Sequence, residues 1–215
     1  MNLNNQTDFQ VSKERLVAAA KIRGLSHEIV SHDIDPSIFD RISSFIDEIT
    51  PDITSSPRRS RPVEEMKRTA FLIEPKDGET TEHFPDCIVS GPANPMGVAA
   101  QGYRDKEEAV VRVALGEAFE GAPGRAHGGI VAALFDDTMG FVLNIMKTPA
   151  YTGNLSVRYL APTPVKSEIE FRGRCVKKDG RKIYMTAEAT SDGKTIATAE
   201  ALFITVTSEK FHSGS

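Results

Sequence analysis

Residues 128–146, GGIVAALFDDTMGFVLNIM, decide the fold. Ile130, Val131, Ala133, Leu134, Phe135, Met139, Phe141, Val142, Ile145 and Met146 surround the axis when the stretch is wound at 3.6 residues per turn. The run is too long for a strand and is bounded by Gly128-Gly129 before it and Pro149 after it. It reads as a helix apolar on nearly all sides, which is stable only when other elements bury it on nearly all sides.

The flanking sequence supplies the cover. Alternating apolar and polar residues in 108–119 and 152–160 indicate half-buried strands, and three more strands follow at 166–177, 181–191 and 195–206. Asp179-Gly180 and Asp192-Gly193 stand between these last three, where they supply the positive φ angles of tight hairpin turns. A short strand is expected at Met66 to Ile73, and the turn-rich GPANPMG, 91–97, follows it. The expected fold is α+β, with a curved antiparallel sheet wrapped around one central helix.

Upstream lie two amphipathic helices. Leu16, Val17 and Ala20 share one side of a helix from Ser12 to about Gly24. Ile38, Ile42, Phe45, Ile46 and Ile49 do the same in Ser37 to Ile49, with Pro36 and Pro51 as boundaries. SSPRRSRP, 55–62, reads as a solvated linker, which divides the chain into a helical extension at 1–62, a main domain at 63–207 and a tail at 208–215.

Two carboxylates, Asp136 and Asp137, interrupt the apolar helix about a hundred degrees apart, so at least one is expected to be partly buried. A carboxylate in a low-dielectric interior is costly unless paired, hydrogen-bonded or protonated, and so has either a structural partner, Arg158 for example, or a task. At the helix start, Gly128 and Gly129 leave the first unpaired amide N–H groups open to an approaching ligand oxygen, a candidate oxyanion hole, or else simply make the tight turn. His127 is read as fixing that turn by hydrogen bonding. From Gly128 to Asp136 is eight residues, about 12 Å along the axis, too far for both to engage one carbonyl within a single chain. Two such helices antiparallel across a two-fold axis would bring Asp136 of one protomer to Gly128 of the other.

The run GAPGRAHGGIVAALFDDTMG, 121–140, followed by RYLAP at 158–162, resembles the hotdog-fold acyl-CoA thioesterases of the 4-hydroxybenzoyl-CoA and phenylacetate-pathway type. The resemblance covers roughly residues 84–206. It implies a hotdog fold with an N-terminal helical extension, and hydrolysis of an acyl-CoA to free acid and coenzyme A. It further implies that the N–H of Gly128 polarises the thioester carbonyl and that Asp136 of the opposing subunit activates water or attacks directly. The family's helper Ser or Thr falls on Thr152, while His127, Gly129 and Asp137 fall beside the substrate. Several members carry an asparagine six residues before the histidine, where this chain has Gly121. Strict strand alternation would group Thr152 with Asn154, Ser156 and Arg158, facing away from the helix.

Composition bounds the rest. A net charge of −4 over 215 residues argues against a polyphosphate-binding surface, so no nucleic-acid partner is expected. No uncharged apolar run approaches the ~20 residues of a membrane span, and MNLNNQTDFQ lacks the pattern of a signal peptide, so a cytoplasmic protein without a membrane partner is expected. Cys87 and Cys175 make no metal site alone, and the expected chemistry uses neither metal nor cofactor. Lys177, Lys178, Arg181 and Lys182 flank a hairpin turn and read as solvated, with coenzyme A phosphate binding as the second reading. The expected assembly is a homodimer or dimer of dimers. The rival functions are a hotdog hydratase or dehydratase, a non-catalytic acyl-CoA-binding module and a structural module.

Overall fold

The computed structural model describes residues 11–60, 71, 74–81 and 84–206. Its centre is helix α3, Gly128–Ile145, whose Val131, Leu134, Phe135, Met139, Phe141 and Val142 are at most 1% exposed. Around it, among the described residues, runs an antiparallel sheet of seven strands in the order β1-β2-β3-β7-β8-β9-β6. These are β1 (Thr80–Thr81), β2 (Gln101–Asp105), β3 (Glu108–Ala114), β6 (Ala150–Tyr159), β7 (Glu168–Asp179), β8 (Lys182–Ser191) and β9 (Lys194–Thr205), with β4 (Glu120–Ala122) and β5 (Arg125–Ala126) as a separate small hairpin. This is the hotdog arrangement that the sequence implies.

Helix and sheet meet mainly at β7 and β3. Phe135 packs edge-on against Phe171 with ring centroids 5.0 Å apart, and Gly173 leaves room for Thr138 and Met139, which would press on a Cβ there at 3.3 and 3.4 Å. The helix has the length and apolar composition of a membrane span, but that face is spent on the sheet. The outer sheet face is charged instead. Arg172 donates to Asp105 at 2.6 Å and to Glu108 at 2.9 Å, and these carboxylates, Asp105 first, raise its basicity above the ordinary guanidinium value.

The element boundaries shift from the sequence reading for identifiable reasons. The strand expected at 108–119 stops at Ala114 and continues as a 3-10 turn, Glu117–Phe119. The expected strand at 66–73 lies almost wholly outside the described residues, and Phe71, the one described, is helical. In the second of the expected hairpins Asp192 and Gly193 both take positive φ, but in the first Asp179 ends the strand and Gly180 alone does so.

Helix α1 (Lys13–Ser31) runs past Gly24, where a stop was expected, because its second half is docked. Arg23 donates to the carbonyls of Pro92 and Asn94 at 3.0 and 2.7 Å, and His27 packs edge-on against Phe119 while its Nδ1 accepts the Ala118 N–H at 3.0 Å. Helix α2 (Pro36–Ser55) begins with Pro36, which has no N–H to leave unpaired, but continues through Pro51. Its apolar residues Ile38, Phe39, Phe45, Ile46 and Ile53 are exposed. The following segment is more than a solvated linker, since Arg59 pairs with Asp86 at 3.1 Å, and Arg15 of α1 pairs with the same carboxylate.

Candidate active site

The mouth of α3 is assembled from both ends of the sequence around it. The His127 N–H bonds to the Phe119 carbonyl at 2.8 Å and the Ala126 N–H to that of Thr163 at 3.0 Å, which fixes the chain as it enters the helix. His127 is the N-cap, with φ −64° and ψ 133°, and its Nδ1 accepts the Gly129 N–H at 2.9 Å. The imidazole therefore holds the turn, as the sequence suggests, and takes up the Gly129 donor. Gly128, at the first helical position, has no intrahelical acceptor for its own N–H. Its carbonyl accepts the Tyr159 hydroxyl at 2.7 Å, a contact the sequence reading missed. A Cβ on Gly128 would lie 3.3 Å from that hydroxyl, and one on Gly121 would lie 3.0 Å from the His127 Cα. The Gly121 backbone is thus packed directly on the histidine.

Two turns further on, Asp136 Oδ1 accepts a hydrogen bond of 2.7 Å from Thr152 Oγ1. Simple alternation points Thr152 the other way. The difference is a β-bulge: β6 slips against β9 between Thr152 and Asn154, so that Thr152 faces Phe203, Asn154 faces Leu202, and Gly153 is the extra residue. That resets the phase and puts Thr152 on the helix side with Leu155 and Val157. Arg158 is exposed and makes no ion pair with Asp136 among the described residues, so the structural partner suggested by sequence is not used.

Asp136 and Asp137 both line one cavity of about 230 Å³, although they are consecutive on the helix. Its other walls include Cys87, Gly140, Leu143, Asn144, Ala150 and Phe203. The Cys87 thiol donates to Asp137 Oδ1 at 3.6 Å, which ties the loop before β2 to the helix and gives Asp137 a structural contact. The cavity is thus a mostly apolar chamber with a carboxylate pair at one end. The structure brings Asp136, Thr152 and Asp137 together, and His127, Gly128 and Gly129 together, but on one chain these two groups are two helical turns apart. The basic hairpin lies elsewhere: Arg181 donates to the Thr205 carbonyl at 3.1 Å, and Lys177 pairs with Asp179 at 3.4 Å.

Among the described residues no cluster of three His, Cys, Asp or Glu side chains could hold a metal ion. The polar groups present are amide N–H donors, the Thr152 and Tyr159 hydroxyls and acceptor carboxylates, which suit acyl transfer.

A helix inside an antiparallel sheet, with an amide-lined mouth and a carboxylate beside an apolar cavity, is a hotdog domain, and residues 123–198 match the family model described as Thioesterase superfamily. The fold is shared with the crystal structure of RHA08564, a thioesterase superfamily protein, at a TM-score of 0.75 and 22% identity, over 88% of this chain and 90% of that one. In sequence the chain is 38% identical to mouse acyl-coenzyme A thioesterase THEM4 over 93 residues, 42% of this chain and 40% of that protein. It is 34% identical to mouse acyl-coenzyme A thioesterase THEM5 over 79 residues, 37% of this chain and 32% of that protein. The chain thus spans well under two thirds of the length of the curated relatives it matches.

Proposed function

We propose that this protein hydrolyses acyl-CoA thioesters, at two equivalent sites formed between the protomers of a homodimer. The single observation that carries the reading is the Asp136 carboxylate, oriented by Thr152 at the wall of an apolar cavity inside a hotdog domain. The names of the relatives support coenzyme A as the carrier.

In this reading the thioester carbonyl accepts the Gly128 N–H at the positive end of α3, where the helix dipole favours the negative charge that develops on oxygen. Asp136 of the other protomer either takes a proton from water, whose oxygen attacks the carbonyl carbon, or attacks that carbon itself to give a mixed anhydride that water then opens. In both routes the C–S bond breaks, the thiolate leaves with the electron pair and gains a proton, and the acid is released. Asp137 stays a neighbour, held through Cys87.

Dimerisation is supported by β6. Among the described residues it pairs only with β9, which leaves a ten-residue edge, and Tyr151, Tyr159 and Leu160 are exposed along or just beyond it. Open edges of that length are normally covered.

The test is thiol release from a panel of short, long and aromatic acyl-CoAs. Asp136→Asn is expected to lower kcat/KM by roughly 10²–10⁴-fold, the range for removal of a general base, with the folded dimer retained. Near-normal release by the pure variant would remove Asp136 from the mechanism. Change in an enoyl chromophore without free thiol would favour the hydratase alternative, and tight acyl-CoA binding with no turnover would favour the binding module.

A further inference from the structure

We infer that the inner end of the cavity recognises a polar group, so that the acyl chain this protein takes carries a hydroxyl remote from the thioester, bonded by Asn144. The inference rests on the thioesterase reading only for the coenzyme A carrier.

Asn144 is 3% exposed, and its Oδ1 is buried with no hydrogen-bond partner among the described residues. A buried carboxamide oxygen left unsatisfied is destabilising, and one that persists in a packed interior is completed by a water or by a ligand group. The other buried polar side chain of the same helix needs none, since Thr138 Oγ1 donates to the Leu134 carbonyl at 2.6 Å. Asn144 also lines the chamber that Asp136 lines.

The two lie on one stripe of α3. Asp136, Gly140 and Asn144 follow one another at intervals of four, about 6 Å apiece along the axis, so that Asn144 stands about 12 Å beyond the carboxylate. Gly140, between them, contributes no side chain to obstruct the way. Leu143, Ala150 and Phe203 make the walls apolar. At about 230 Å³ the cavity lies below the roughly 300–1,000 Å³ of a site that buries a whole drug-sized ligand, and so suits an acyl chain alone. Its methylenes would meet apolar walls and its far end Asn144. A hydroxyl both donates and accepts, so it satisfies the carboxamide in either orientation of that group.

The experiment compares the non-hydrolysable thioether analogues of octanoyl-CoA and 8-hydroxyoctanoyl-CoA, and of the hexanoyl and decanoyl pairs, by calorimetric binding to the wild-type protein and to Asn144→Leu, with the thioesters themselves kept for thiol release. The wild type is expected to bind the hydroxylated member of one pair at least 10-fold more tightly. Asn144→Leu, of similar volume and suited to the apolar walls, is expected to erase that preference and to bind the plain chain at least as well as the wild type does. No preference at any length, a preference that survives the substitution, or no binding of either member would overturn the inference. The wild-type comparison decides the matter alone should the variant not fold. Thiol release measured in parallel separates the two readings. Hydroxyl-selective binding without release keeps the Asn144 assignment and removes the hydrolase, whereas release without selectivity does the reverse.

Discussion

Asp136 commits one carboxylate oxygen to the Thr152 hydroxyl at 2.7 Å, and that bond fixes which way the other oxygen faces. Hydrogen bonds to charged groups contribute about 1.5–3 kcal/mol, so Thr152→Val should lower kcat/KM for thioester hydrolysis by roughly 10–100-fold. Thr152→Ser, which keeps the hydroxyl, should retain most of the activity, and equal losses in the two variants would assign Thr152 a packing role only. The candidate residues themselves were legible in sequence, because carboxylates in an apolar helix and a Gly-Gly helix start are exceptions to composition. The direction of Thr152 was not. It depends on the bulge at Gly153, a property of how β6 pairs with β9 rather than of β6 alone. Asn144 and Tyr159 were missed for a similar reason, since an asparagine near a helix end and a tyrosine in a strand are ordinary until their partners, or the lack of one, are seen.

The elements of the main domain were legible to within a few residues where period and turn chemistry agree, as in α3 and the β7–β8–β9 meander. They were less so where tertiary contacts override a local signal. Gly24 costs a helix interior about 1 kcal/mol relative to alanine, yet α1 continues to Ser31 because Arg23 and His27 anchor it on the loops beside it. One of those loops includes Phe119, whose carbonyl holds the His127 N–H, so α1 braces the mouth of α3 from outside. His27→Ala leaves the Ala118 N–H without its acceptor and removes the ring contact with Phe119. The expected cost is about 1–2 kcal/mol, seen as a fall of roughly 2–8 °C in Tm. An unchanged Tm would mean that α1 is not held there. The approach is close enough that a Cβ on Gly116 would sit 2.4 Å from the His27 Nδ1, which explains a glycine immediately before the 3-10 turn.

At the scale of the whole molecule, the two halves of the site lie two helical turns apart on one chain, and β6, which among the described residues pairs only with β9, runs alongside. In the proposed homodimer a second copy would join the halves, and a two-fold axis would make the resulting sites equivalent. Gly128→Pro disables one half. Proline is favoured at the first helical position and removes the amide donor, His127 already has the extended backbone that a residue before proline needs, and the Tyr159 hydroxyl, 3.3 Å from the added Cβ, has to give way slightly. The measurement that tests the shared site most directly is thiol release by a mixture of Gly128→Pro and Asp136→Asn protomers after proven subunit exchange. Each mixed dimer keeps one intact site of two, and random exchange makes half the dimers mixed, so the mixture should recover about a quarter of wild-type activity from two nearly inactive parents. A mixture no more active than its parents would contradict the account.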